Sequence, residues 1–280
     1  MSLELKNVTQ IYSPGTPFEK KALTDVSLKI NDGEFVGIIG HTGSGKSTLI
    51  QHMNALMTPT SGSVWVDGED ISAAKSKIAV RRKVGLVFQY PEYQLFEETV
   101  LKDVCFGPLN MGLSQQEALA SAQNALKTVG LAPELWEKSP FELSGGQKRR
   151  CAVAGVLAMK PEVLILDEPA AGLDPAGRRE ILGIVRQIHL DGTTVIMVSH
   201  SMDDVARLCG RIIVLDDGKI ALDGTPAEVF SDTERIQALG LSLPQAAQLK
   251  NRLNKRGFDI PDDVFTIEAL AEALAKRIKR

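Results

Sequence analysis

Unbroken apolar runs punctuate the chain at intervals. "EFVGIIG" leads into a glycine-rich stretch, "VGLVFQ" ends at Gln89, "VLIL" spans Val163–Leu166, and "TTVIMVSH" ends at His200. Runs this short, with no polar alternation, suit strands covered on both faces. Helical spacing fills the gaps between them, so the pattern from about residue 35 to His200 predicts an α/β fold with a parallel sheet. Residues 3 to about 35 read instead as short strands with turn signals, including "NDG" at 31–33. "RIIVLDDGKIALDG" reads as a hairpin turning at Asp217-Gly218.

Two stretches depart from strand–helix alternation. Between Gln89 and Ser144 the pattern is mainly helical, as in "SQQEALASAQNALKTVG", with Ser114 placed to cap a helix and Gly130 to stop it. After residue 230 the tail predicts one helix between Pro244 and Gly257 and a last one carrying Ile267, Leu270, Leu274 and Ile278 on a single face. That apolar stripe needs cover, from the body of this chain or from a second subunit. The basic end "KRIKR" has two readings, a complement to the helix dipole in water or a contact with lipid headgroups. The predicted organisation is a domain over 1–230, with a helical part at about 90–158, and a helical extension over 231–280 that is a candidate dimerisation region.

Composition narrows the setting. The 280 residues are 44% hydrophobic and 24% charged, ordinary for a globular chain. A net charge of -3 argues against a role coating nucleic acid. Cys105, Cys151 and Cys209 are odd in number and widely spaced, with neither a disulfide framework nor zinc spacing, which predicts a reducing compartment. The start has no signal-peptide pattern, and no apolar run approaches membrane length.

The chemistry begins at Gly40-His41-Thr42-Gly43-Ser44-Gly45-Lys46-Ser47, followed by Thr48, which satisfies G-x-x-x-x-G-K-[ST] between a strand and a helix. Glycines let backbone N–H groups turn inward around phosphate oxygens, and the helix that follows points its positive end at them. Lys46 can reach the outer phosphates and the Ser47 hydroxyl can ligate Mg²⁺. The run at 163–166 ends in Asp167 and Glu168, where ligands of a parallel sheet bind. Asp167 suits Mg²⁺, and Glu168 suits a general base for an attacking water. A second anion grip appears in "LSGGQ": Ser144 and Gln147 have capping-box spacing, and Gly145 and Gly146 present bare backbone at a helix start.

In this order, with Gln89, "AGLD" at 171–174 and His200, these motifs resemble the ATP-binding-cassette ATPases over residues 3 to 230. The resemblance implies a P-loop ATPase core with an antiparallel β part, ATP and Mg²⁺ as ligands, and ATP hydrolysis coupled to transport. It further implies that Gln89 contacts Mg²⁺ and links the site to the transport partner, that His200 touches the γ phosphate, and that Tyr12 stacks on adenine. Phe18 is the rival for that last role. Two cassettes are expected to pack head to tail, so that Ser144, Gly145, Gly146 and Gln147 serve the nucleotide held by the other one. Residues 88–99, "FQYPEYQLFEET", look like the corresponding region of energy-coupling-factor transporter ATPases, and the tail suggests the second of their two types. The implied partners are a second cassette (a paralogue or another copy), a transmembrane coupling protein and substrate-binding membrane subunits, with the chain peripheral on the cytoplasmic face of the membrane. Micronutrients such as vitamins are the implied cargo. A conventional transporter or cobalt/nickel importer ATPase is the alternative. A cassette of DNA maintenance or translation fits less well: only about a hundred residues separate the two grips, and the chain holds one cassette.

Overall fold

The computed structural model describes residues 1–72 and 77–278. Among the described residues ten strands form two sheets: β1 (Leu3–Tyr12), β2 (Lys20–Ile30), β3 (Phe35–Ile39), β4 (Ser61–Val66), β5 (Glu69–Asp70), β6 (Val84–Val87), β7 (Val163–Asp167), β8 (Thr194–Val198), β9 (Arg211–Asp216) and β10 (Lys219–Gly224). The larger sheet runs β10-β9-β3-β8-β7-β6, parallel except for β10. Every residue of β3, β6, β7 and β8 is buried, the outcome their unbroken apolar runs predict.

The second sheet, β2-β1-β4-β5, is antiparallel. The expectation of short strands before residue 35 is corrected here, since β1 and β2 are 10 and 11 residues long. Polar turn formers inside them mark bulges rather than ends. Asn7 and Asp25 both take left-handed backbone angles (φ 50° and 52°), and the Asn7 Nδ2 donates to Asp25 Oδ1 at 2.7 Å across the irregular register.

The helical part comprises the helices Val100–Asn110, Gln115–Thr128 and Gly145–Leu157. Ser114 caps its helix through a full capping box with Glu117, and Gly130 follows the helix end with φ 66°. Leu126, Val129 and Trp136 share one core with Leu164, Leu166 and Met197 of the main sheet. The helical part is therefore seated against the face of the main sheet that carries Leu164, Leu166 and Met197.

The extension packs on its own chain. Leu270 is buried against Ala246, Ile260 and Val264, with Leu274 partly buried beside them, while Ile267 stays 61% exposed. Phe265 joins the main core beside Phe230, with ring centroids 6.0 Å apart. Side chains from Arg277 onward, including Ile278 and most of the basic end, lie outside the described residues. A short helix that the sequence pattern did not predict, Thr233–Ala238, opens the tail; the next spans Gln245–Asn254 and stops short of Gly257, where the Asn254 side chain pairs with the Ile260 backbone in both directions, at 2.8 and 2.9 Å. Asn254→Ala leaves two backbone groups without partners and should cost about 1–3 kcal/mol locally. Hydrogen exchange should quicken in 254–270, and nucleotide binding should not change.

Candidate functional site

β3 ends at Ile39, and the next six residues, 40–45, fold back as a loop clamped from two sides. The Gly218 N–H donates to the Ser44 carbonyl at 3.0 Å. Gly45 has φ 105°, and a Cβ there would lie 2.6 Å from the Ala22 carbonyl, so both its angle and its neighbour require glycine. Lys46, 6% exposed, starts the helix Lys46–Met53 and donates from Nζ to the carbonyls of Gly40 and His41, each at 2.8 Å. Burial lowers its pKa, and Glu168 and Asp167 counter that shift. The loop thus holds a buried ammonium on neutral oxygens.

Two carboxylates at the C-terminal end of β7 face it. Asp167 Oδ2 lies 3.3 Å from the Ser47 hydroxyl, which donates to it. Burial raises the Asp167 pKa, opposed by that hydrogen bond and by Lys46. Glu168 adopts φ 50°, a strained angle for a residue with a side chain, fixed by its N–H donating to Val198 O at 3.0 Å. Its pKa is pushed up to about 7, first by burial and then by the adjacent Asp167, with the His200 backbone N–H pulling the other way. His200, at the end of β8, brings Nε2 within 3.4 Å of Glu168 Oε1, an approach without hydrogen-bond alignment. Burial lowers the His200 pKa, and Lys46 adds to the effect.

These residues line one cavity of about 290 Å³, together with Tyr12, Thr42, Gly43, Gly45, Thr48 and Gln89. Gly40, His41 and Ser44 belong to the same loop but support it from behind. The Tyr12 hydroxyl sits 3.1 Å from Thr48 Oγ1, which sets its ring at the cavity edge. Phe18 is 84% exposed and does not line the cavity. The second grip stands apart, at the start of the helix Gly145–Leu157. There Ser144 Oγ accepts from the Gln147 N–H and Gln147 Oε1 accepts from the Ser144 N–H. A Cβ on Gly145 or Gly146 would meet nothing within 4 Å, so no neighbour among the described residues explains the two glycines.

Sequence reasoning missed Arg149, which looked like one cation in a run of three. It is 2% exposed and makes a two-point ion pair with Glu92, Nε to Oε2 at 3.0 Å and Nη2 to Oε1 at 2.7 Å. Its Nη1 donates to the carbonyls of Pro169 and Ala171. The only sequence signal was position, four residues before the buried Val153 on one helix face. Arg178 and Asp204 were missed as well; their 2.6 Å ion pair links the helix Pro175–Leu190 to the helix after His200.

Comparison with known proteins agrees with this geometry. The family model described as ABC transporter matches residues 23–171. The chain belongs to the ABC transporter ATPase family. It is 54% identical to the energy-coupling factor transporter ATP-binding protein EcfA2 of Clostridium perfringens, over 100% of this chain and 99% of that one. Likeness to the protein of the same name from Symbiobacterium thermophilum is 55%, covering 98% and 96%. Among solved structures, cbiO1 of Clostridium perfringens, part of the ABC transporter complex cbiONQ, is 40% identical with a TM-score of 0.75, covering 89% of this chain and 98% of its own. The dimeric ATP-binding cassette MJ0796 bound to ADP and Pi is 33% identical with a TM-score of 0.72, covering 80% and 98%. As an ABC ATPase, the chain binds ATP, and its mixed sheets and helical part are those of the family.

The raised Glu168 pKa carries a stability consequence. A carboxyl that ionises near 7 when folded, against 4.5 ordinarily, costs nothing below 4.5, and its cost is complete above 7. Glu168→Gln removes that cost, so the nucleotide-free variant should melt a few degrees above wild type at pH 8, at roughly 2–4 °C per kcal/mol. The gap should close towards pH 5 in parallel thermal scans.

Proposed function

We propose that this chain is the ATP-hydrolysing subunit of an energy-coupling-factor importer, working in a head-to-tail pair with a second cassette and driving micronutrient uptake through membrane partners. The observation that carries the reading is the convergence of Lys46, Ser47, Asp167, Glu168 and His200 on one cavity. Two hard oxygens 3.3 Å apart, on Ser47 and Asp167, suit Mg²⁺, and Gln89 lines the same wall. Bound there, Mg²⁺ supplies charge neutralisation on the phosphate oxygens.

The chain's own residues divide the work. Lys46 exchanges two backbone carbonyls for phosphate oxygens, a gain because an anion replaces neutral dipoles. Tyr12 offers its ring to the base at the cavity edge. Glu168 takes the proton of the attacking water at its carboxylate, and a pKa near neutrality is matched to that task. His200, neutral by its lowered pKa, flanks the same carboxylate. Between the mutually capped Ser144 and Gln147, Gly145 and Gly146 face outward with N–H groups suited to the phosphates of a nucleotide held by the other cassette.

Coupling to the membrane rests on a different surface. An apolar groove of about 540 Å³ separates the helical part from the α/β body. Phe96 and Phe106 line it, with rings edge-on at 4.9 Å, and both are about half exposed. Phe88 lines the groove and the next residue, Gln89, lines the nucleotide cavity, so one backbone step joins the two. A helix of the transmembrane coupling protein is the occupant this reading places there. Among the described residues no helix is long and apolar enough to cross a membrane. The exposed Ile267 and the tail around it are proposed to meet the second cassette.

Glu168→Gln keeps the shape of the site and removes the base. ATPase turnover of the assembled complex should fall about 10²- to 10⁴-fold while ATP binding persists. Wild-type turnover in that variant would rule out Glu168 as the base.

A further inference from the structure

Away from the hydrolytic residues, the outer face of the phosphate loop carries a cluster that ATP chemistry leaves unexplained. His41 Nε2 lies 3.1 Å from Asp216 Oδ1 and 3.7 Å from Asp217 Oδ1, at the turn between β9 and β10. The other ring nitrogen, Nδ1, lies 2.9 Å from the Thr42 carbonyl. A carbonyl only accepts, so Nδ1 is the donor in that contact, and Nε2 is the ring atom turned towards two carboxylates. Two carboxylates converging on one ring nitrogen call for a cation between them, either a metal ion or a proton on Nε2. His41 and Asp216 are each about a third exposed and Asp217 is open to water, so the cluster is reachable from solvent.

We propose that His41, Asp216 and Asp217 form a binding site for a divalent transition-metal ion, bridging the phosphate loop and the β9–β10 turn. The three ligand atoms all lie within 4.8 Å of one another. Bonds of about 2.0–2.2 Å to a tetrahedral Zn²⁺ place neighbouring ligand atoms about 3.3–3.6 Å apart, close to the two His–Asp separations. One imidazole with two carboxylates selects the Zn²⁺, Co²⁺ and Ni²⁺ class over Mg²⁺ and Ca²⁺, which prefer oxygen alone. The Nδ1–H to carbonyl bond is the outer support that fixes the tautomer of a ligating histidine. Water completes the open side.

The position gives the site a consequence. The His41 carbonyl is one of the two that hold Lys46, and the Gly218 N–H already ties the turn to Ser44. A metal at His41 fastens the same loop to the same turn through side chains, stiffening the nucleotide-free loop.

The test uses the full, nucleotide-free chain and CoCl₂ alone, read by the visible d–d bands of bound Co²⁺, followed by displacement with one equivalent of Zn²⁺. Asp216→Asn and Asp217→Asn should each weaken Co²⁺ binding more than about tenfold. Both variants should still bind Mg·ATP, which shows that they are folded. Asp167→Asn, which alters the other oxygen pair, should bind Co²⁺ at His41 as wild type does. Absence of a Co²⁺ spectrum, or a spectrum that survives Asp216→Asn and vanishes in Asp167→Asn, would overturn the proposal. So would ring-nitrogen NMR showing His41 protonated at both nitrogens and unmoved by Zn²⁺, since a proton would then be the cation in the cluster.

Discussion

One buried cation holds the working parts in register. The Arg149 guanidinium is almost wholly removed from water, and all three of its nitrogens find acceptors, in Glu92 and in the carbonyls of Pro169 and Ala171. Glu92 belongs to the segment after β6, Arg149 to the helix that starts at the second anion grip, and Pro169 directly follows Glu168. Removing one partner from such a pair strands a charge in low dielectric, at a cost of about 3–5 kcal/mol. The three segments therefore cannot drift independently. Movement of the helical part must either carry the backbone next to Glu168 with it or break this pair.

Around that strut the nucleotide cavity is a set of unmet electrostatic needs. Lys46 rests on carbonyls although an anion would suit it better, and Asp167 and Glu168 are both desolvated carboxyls with raised pKa values. A ligand that brings phosphate to Lys46 and a divalent cation to Asp167 answers both at once. Glu168 is left with its strained backbone and a proton affinity near neutrality, the arrangement in which stability has been given up for chemistry.

Much of this was legible in the sequence because it depends on local rules. Continuous apolar runs placed β3, β7 and β8, the glycine spacing placed the phosphate loop, and S-x-x-Q placed the capping box at Ser144. Asp217-Gly218 marked its turn because both residues need positive φ, at 42° and 76°. What escaped depends on contacts between distant segments. The lengths of β1 and β2 were hidden by Asn7 and Asp25, whose side chains bridge a bulge instead of ending a strand. Arg149 was indistinguishable from Lys148 and Arg150 until the fold brought Glu92 to it, 57 positions away. The last helix showed its apolar stripe, but only the fold revealed that Leu270 is covered by its own chain.

In the proposed head-to-tail pair, the two anion grips of this chain serve different nucleotides. The direct measurement is vanadate trapping of nucleotide in an assembled complex in which one cassette alone, marked by its own tag, carries Gly146→Asp. The account predicts that trapping disappears from the phosphate loop of the unaltered cassette and persists at the phosphate loop of the altered one. Loss at the altered cassette's own phosphate loop, with the other intact, would contradict it.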